Sequence, residues 1–189
     1  MESIMERIQH ARQILEAKRE EGEPWNLFRD VVLPGALAGM LGATIMVALA
    51  LPLGVITHRD PWYAARLAGG VFFREAPSGT LAALLGLAVH MAVAGGLATL
   101  FAMLLPRGGT GTAALMLGVL MGLVLQTVMP ALVVPWASPP LDRAAPHGAL
   151  LLLHLAFGAS LGAVVPARKL VTHLDRMRRT LRGVRAAVA

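Results

Sequence analysis

The chain has 189 residues, of which 56% are apolar and 15% are charged. Ordinary soluble domains are about 45–50% apolar and about 25% charged, so this composition indicates a membrane protein. The absence of cysteine excludes disulfides, thiolate nucleophiles and every cysteine-based metal site. The net charge is +6, and the charged residues lie mostly in the two tails. Membrane orientation and anionic lipid explain such charge more simply than nucleic acid, so we expect no nucleic-acid partner.

Four stretches are long and apolar enough to cross a bilayer, and none contains Asp, Glu, Lys or Arg. A membrane helix needs about 20 mostly apolar residues. The stretches are residues 31–53, 81–105, 112–134 and 147–165. The sequence therefore predicts an all-α integral membrane four-helix bundle, with the spanning domain at residues 27–166.

The lysines and arginines are distributed unequally between the two sides of this bundle. Thirteen lie in the N-terminal segment, the short turn between spans two and three, and the C-terminal tail; four lie in the other two loops. By the positive-inside rule both termini are predicted to be cytoplasmic, and we expect the bacterial inner membrane. The turn is so short that we also expect spans two and three to pack as antiparallel neighbours.

The two loops on the opposite side carry aromatic residues and prolines. Trp62 and Tyr63 lie in the first of these loops, Trp136 begins the second, and Trp25 precedes span one. Such amphipathic rings are typical of the headgroup boundary. We expect the first loop to form a short helix in the interface or across the bundle mouth. The second loop, PWASPPLDRAAP, is expected to be stiff and non-helical because proline lacks an N–H donor.

Both tails show the apolar spacing of an amphipathic helix. In residues 1–26 the apolar positions run from Met1 to Leu15, and in residues 167–189 they run from Leu170 to Val188. The C-terminal helix is strongly basic, so we expect it to bind anionic lipid headgroups. Pairing of the two helices, or a solvated tail, is the alternative. The basic residues concerned are Arg168, Lys169, Arg176, Arg178, Arg179, Arg182 and Arg185.

Few polar side chains lie inside the spans, so each is a functional candidate. The main ones are His90, Gln126 and His154, with His147 at the mouth of span four. In one hypothesis they only hydrogen-bond across helix interfaces. In another, His90 and His154 ligate one haem b iron or a divalent metal. In a third, the two histidines and Gln126 line a polar cavity for a proton, ion or small substrate.

Small residues in three spans are spaced for close helix packing. GxxxG pairs occur at Gly35 and Gly39, at Gly118 and Gly122, and at Gly158 and Gly162. Together they predict a compact bundle or a homo-oligomer. Pro130, one turn after Gln126, frees a backbone carbonyl inside span three and predicts a kink or local opening.

Several segments resemble a group of small bacterial inner-membrane proteins with four spans. The segments are LGLAVHMAVAGGLATLFAMLLP, the end of span three VMPALVVPW, and HGALLLLHLAFGASLG. The resemblance covers roughly residues 30–166. It implies the four-span fold and no particular activity, since the biochemical role of that group is not established. The positions that carry it are His90, Pro130, Pro135, Trp136, His154, Phe157 and Gly158.

The sequence contains no phosphate-binding loop, nucleophile elbow or zinc-protease motif. We therefore expect a non-enzymatic membrane protein that works as a packing or accessory subunit or as a homo-oligomer. One alternative is a b-type haem or metal-binding membrane protein that uses His90 and His154. The other is a small transporter or channel-like protein with its polar site at the two histidines and Gln126.

Overall fold

The computed structural model describes residues 8–10, 25–75 and 77–188, with side chains in the last helix described through residue 179 and at residue 181. Every regular element within these ranges is helical, so the prediction of an all-α fold is confirmed. The predicted N-terminal helix lies outside the described residues, except for residues 8–10, which are helical. The helices are α1 (Phe28–His58), α2 (Tyr63–Ala68), α3 (Gly70–Phe73), α4 (Gly79–Leu104), α5 (Gly111–Ala137), α6 (Pro139–Ala144), α7 (His147–Ser160) and α8 (Val164–Val188).

Four helices are long and apolar enough to cross a membrane: α1, α4, α5 and the continuous helix that α7 and α8 form together. Each contains one predicted span. The helix α1 continues past the predicted end at residue 53 and stops where Arg59 adopts a left-handed conformation (φ 55°). A single 3₁₀ turn, Leu161–Ala163, connects α7 to α8, so the fourth helix runs through Pro166 without a break.

The long helices pack in the order α4, α1, α7, α5. Although α4 and α5 are consecutive in the chain, their described residues do not pack along the helix lengths. The expectation that spans two and three pack as neighbours is therefore wrong. The short turn holds only the ends of these helices together, whereas close backbone contacts elsewhere decide which helix faces meet.

The contact between α1 and α4 depends on glycine. A Cβ atom added to Gly35 would lie 2.5 Å from the Cα of Thr99. A Cβ added to Gly39 would lie 2.7 Å from the Cα of Gly95 and 2.9 Å from the Cβ of Ala98. Neither position can carry a side chain unless the helices separate, so the first glycine pair packs α1 directly onto the α4 backbone.

The contact between α5 and α7 uses glycine from both sides. A Cβ on Gly158 would meet the carbonyl oxygen of Gly118 and would lie 3.0 Å from the Cα of Gly122. Gly162 faces Leu115 more loosely, with a nearest distance of 3.3 Å. All six glycines of the predicted pairs therefore lie in contacts within the chain. They account for a compact bundle without requiring a second copy.

A charged cluster closes one end of the bundle, which we call the basic end. The buried carboxylate of Asp30 (8% exposed) accepts hydrogen bonds from Arg29 at 2.9 Å and from Arg107 at 2.5 Å. The guanidinium of Arg168 donates to the carbonyls of Asp30, Ala102, Leu105 and Pro106. Carbonyls in the last turn of a helix have no partner within that helix, so Arg168 satisfies the C-terminus of α4 and ties it to α1.

The short helices α2, α3 and α6, with the end of α5, cover the opposite end, which we call the capped end. Ser138 donates to the Leu67 carbonyl at 2.6 Å, and Arg74 donates to the Trp136 carbonyl at 2.8 Å. Arg143 pairs with Glu75 at 2.5 Å. These contacts join the loop between α1 and α4 to the loop between α5 and α7.

The proline-rich loop is helical, contrary to the expectation. It forms the last turn of α5, Val134–Ala137, and then α6, Pro139–Ala144. In α6 the prolines occupy the first turn, where a missing N–H costs no helical hydrogen bond and where the fixed φ of proline favours the helix. The other loop forms α2 and α3, and both helices pack against α4. This packing agrees with the expected short helix across the bundle mouth.

Candidate functional site

A cavity of about 370 Å³ is lined by α4 and α5, the two consecutive long helices whose described residues do not pack against each other. Its walls come from the second half of α1, from α4 and α5, and from α7. Below it, towards the basic end, the bundle is closed by buried side chains that include Phe157, Leu125 and Ala94. Above it, α2, α6 and the end of α5 form the cap. The cavity therefore occupies the capped half of the bundle.

The wall of this cavity is almost entirely apolar. No Asp, Glu, Lys or Arg is among the described residues that line it. Its polar side chains fall into two groups. Five lie near the cap, namely Thr57, His58, Trp62, Tyr63 and Ser138, and two lie at mid-bundle depth, namely His90 and His154. Apolar sites of this size with a few polar groups are typical of small-molecule binding.

The ring of His154 is held in place by Gln126, which does not itself line the cavity. The Nδ1 atom of His154 lies 2.9 Å from the Oε1 atom of Gln126. The amide nitrogen of Gln126 donates to the His147 carbonyl at 3.4 Å, which turns the amide oxygen towards the ring. Gln126 is not among the lining residues, and the side chain of His147 is exposed. Of the predicted polar set, the structure therefore brings only His90 and His154 to the cavity.

His90 reaches across to α1. Its Nε2 atom lies 3.4 Å from the carbonyl oxygen of Ala43. His90 and His154 come from different walls of the cavity, α4 and α7, and both belong to its lining.

A π-helical segment, Met129–Val133, interrupts α5 beside the cavity. Pro130 is its second residue, and Met129, Pro130 and Val133 all line the cavity wall. A π segment widens one turn of a helix and often marks a functional position. Pro130, where the sequence predicts a kink or local opening, therefore lies in a π segment that forms part of the cavity wall.

A metal centre built from three or more acidic, histidine or cysteine side chains does not occur among the described residues. A haem or metal held by His90 and His154 alone stays a prediction. In the present arrangement one nitrogen of each ring already faces a protein oxygen. A visible absorption spectrum and elemental analysis of the purified protein test this hypothesis directly.

The predicted interface aromatics lie at both ends of the bundle. Trp25 is 45% exposed at the basic end, and the guanidinium of Arg107 lies 4.5 Å above its ring. At the capped end Trp136 is exposed, while Trp62 and Tyr63 line the cavity mouth. Tyr63 also stacks on His58, with ring centroids 3.6 Å apart. This stacked pair was not a predicted site.

The predicted headgroup-binding residues divide into three groups. Arg168 is occupied by backbone carbonyls, and Arg179 pairs with Asp175 at 2.7 Å. Lys169, Arg176 and Arg178 are exposed on α8. The side chains of Arg182 and Arg185 lie outside the described residues. Headgroup binding therefore stays a prediction, carried by the exposed members of the set.

No protein-family model, curated protein or solved structure matches this chain. The resemblance to small four-span proteins of bacterial inner membranes stays a prediction based on the residues quoted for it.

Proposed function

We propose that this protein is a non-enzymatic multi-pass membrane protein that binds one uncharged, mostly apolar molecule in the cavity between α4 and α5. The observation that carries the proposal is the cavity itself: about 370 Å³, free of charged side chains among its described lining, and placed in the middle of four apolar helices. A charged ligand would lose its hydration there without gaining an ionic partner. An apolar ligand would gain contacts with the apolar walls that α1, α4, α5 and α7 provide.

Binding is a better explanation than conduction because the cavity ends at mid-bundle. Gly42 packs against Phe157 and Ser160 at this depth, and Leu161 and Val164 are fully buried below it. A transporter would have to open this packing, whereas a binding protein can use the cavity as it is. The transporter alternative needs an additional conformational change that a binding protein does not need.

The role as a packing or accessory subunit or homo-oligomer stays a second proposal. Its main support was the set of GxxxG glycines, and these lie in contacts between helices of the same chain. The remaining support is the large apolar surface of the four helices, with side chains such as Leu104 and Leu132 exposed. Lipid covers such a surface as well as a partner helix does.

We also propose the bacterial inner membrane as the location, with both chain ends in the cytoplasm. The support is the excess of Lys and Arg at the basic end and in the two tails. The exposed basic residues of α8 would then lie beside the anionic cytoplasmic leaflet, each contributing about 1 kcal/mol when close to the surface.

Photolabelling tests the binding proposal. The protein is placed in phosphatidylcholine nanodiscs with a long-chain alcohol that carries a diazirine in its chain, and the labelled residues are mapped by mass spectrometry. We expect label on cavity residues such as Val93, Leu97 and Met129 in excess over lipid-facing residues such as Leu104 and Leu132. Label found only on the lipid-facing residues would contradict the proposal.

A further inference from the structure

We propose that the ligand is a neutral lipid alcohol, whose hydroxyl group donates its one hydrogen to the Nε2 atom of His154. This inference rests on the proposed function, because it concerns the polar end of the molecule bound in the same cavity. The choice of an alcohol follows from which ring nitrogens of His90 and His154 already carry a hydrogen.

The hydrogen of neutral His154 is fixed by its partner. Nδ1 faces the Oε1 atom of Gln126, an oxygen that only accepts, so Nδ1 carries the hydrogen. The Nε2 atom of His154 is therefore an acceptor.

His90 follows the same logic with the opposite nitrogen. Its Nε2 atom faces the Ala43 carbonyl, which only accepts, so Nε2 carries the hydrogen of the neutral ring. The Nδ1 atom is then the acceptor. At mid-bundle depth the lining thus contains two imidazoles, and each has used its single donor on a protein oxygen.

Two of the hydroxyl side chains near the cap have also used their donors. Thr57 donates to the Leu53 carbonyl at 2.6 Å, and Ser138 donates to the Leu67 carbonyl at 2.6 Å. Tyr63 and His58 stack on each other at the mouth, away from the two mid-bundle histidines. The deep part of the cavity therefore offers acceptors to a ligand and no spare donor.

This polarity selects one class of ligand. A hydroxyl group supplies a donor for one ring nitrogen, whereas a ketone, an ester or an ether brings only acceptor oxygens and satisfies neither. A phosphate or ammonium group would enter an apolar cavity without a counter-charge. A neutral molecule with a long apolar body and an alcohol head meets each of these conditions.

The test compares two matched probes in the nanodisc photolabelling experiment: the diazirine alcohol and its methyl ether. The wild-type protein should show about fivefold more cavity labelling by the alcohol, for one hydrogen bond of about 1 kcal/mol. His154→Phe and His154→Leu both remove the Nε2 acceptor while keeping an apolar side chain. In each variant the preference for the alcohol should fall, while labelling by the ether should persist and show that the cavity is intact.

The outcomes separate this inference from the proposed function. If both probes label the cavity equally and neither substitution changes the ratio, the hydroxyl assignment is wrong and the cavity proposal stands. A preference for the ether over the alcohol would also overturn the assignment. If neither probe labels the cavity, the proposed function itself fails. The two single substitutions keep the test decisive where one of them does not fold.

Discussion

Substituting Gly158 by alanine tests the packing that holds α5 against α7. The added Cβ atom would meet the carbonyl oxygen of Gly118 and would lie 3.0 Å from the Cα of Gly122, and both of these are backbone atoms. Backbone cannot rotate away as a side chain does, so the helices must separate. Overpacking of this kind costs about 1–3 kcal/mol, and we expect the upper end of that range.

A matched control measures how much a glycine-to-alanine change stabilises a helix when the added Cβ atom meets nothing. A Cβ on Gly95 of α4 would meet no atom within 4 Å. Gly95→Ala should therefore stabilise the protein by about 1 kcal/mol through helix propensity alone. The same gain offsets part of the clash in Gly158→Ala, which leaves a net loss of about 2 kcal/mol and a difference of about 3 kcal/mol between the variants.

The assay is reversible unfolding in mixed detergent micelles, with the free energy of unfolding compared among the wild type and the two variants. If Gly158→Ala were as stable as Gly95→Ala, α5 and α7 would not be in backbone contact, and the order of helices described above would be incorrect. A loss confined to Gly158→Ala supports the contact.

Three further predictions concern the two ends of the bundle. Arg168→Met removes the donor to four backbone carbonyls and should lower the free energy of unfolding by about 1–3 kcal/mol, whereas Lys169→Met, at an exposed position, should change it little. Equal effects in the same unfolding assay would contradict this role of Arg168. Because the chain lacks cysteine, single cysteines at Glu75 and Gly108 can report orientation in intact cells: a membrane-impermeant maleimide should label the first and reach the second only after permeabilisation. The reverse pattern would place the basic end outside. A spin label at Met177 on α8 should become less accessible to aqueous relaxants in anionic nanodiscs than in zwitterionic ones, and equal accessibility would count against headgroup binding.

The helices could be predicted from the sequence because a span needs only length and apolar composition. Their arrangement could not, since α1 and α4 are apolar on all sides and have no polar face to mark which side is buried. The short turn suggested that α4 and α5 are packed neighbours, but glycine contacts packed α4 on α1 and α5 on α7 instead. The gap left between α4 and α5 is the cavity.

The candidate site was partly predictable. His90 and His154 were identified because a polar side chain within a span needs a partner, and Gln126 proved to be the partner of one of them. The cap was missed because its contacts are backbone carbonyls and small residues, which carry little sequence signal. A Cβ on Gly86 would collide with the Ala65 carbonyl, and one on Gly70 with the Ser138 hydroxyl. Such glycines, which leave room for a neighbouring loop, were the sequence signal that could have indicated the cap.

The most direct test of the central claim compares two phenylalanine substitutions on the same helix. Ala50 lines the cavity, whereas Ala48, two residues earlier on α1, is exposed on the outer surface. If an uncharged, mostly apolar molecule occupies the cavity, Ala50→Phe should abolish labelling of cavity residues by the diazirine alcohol, and Ala48→Phe should leave it unchanged. Equal labelling in the two variants would contradict the account.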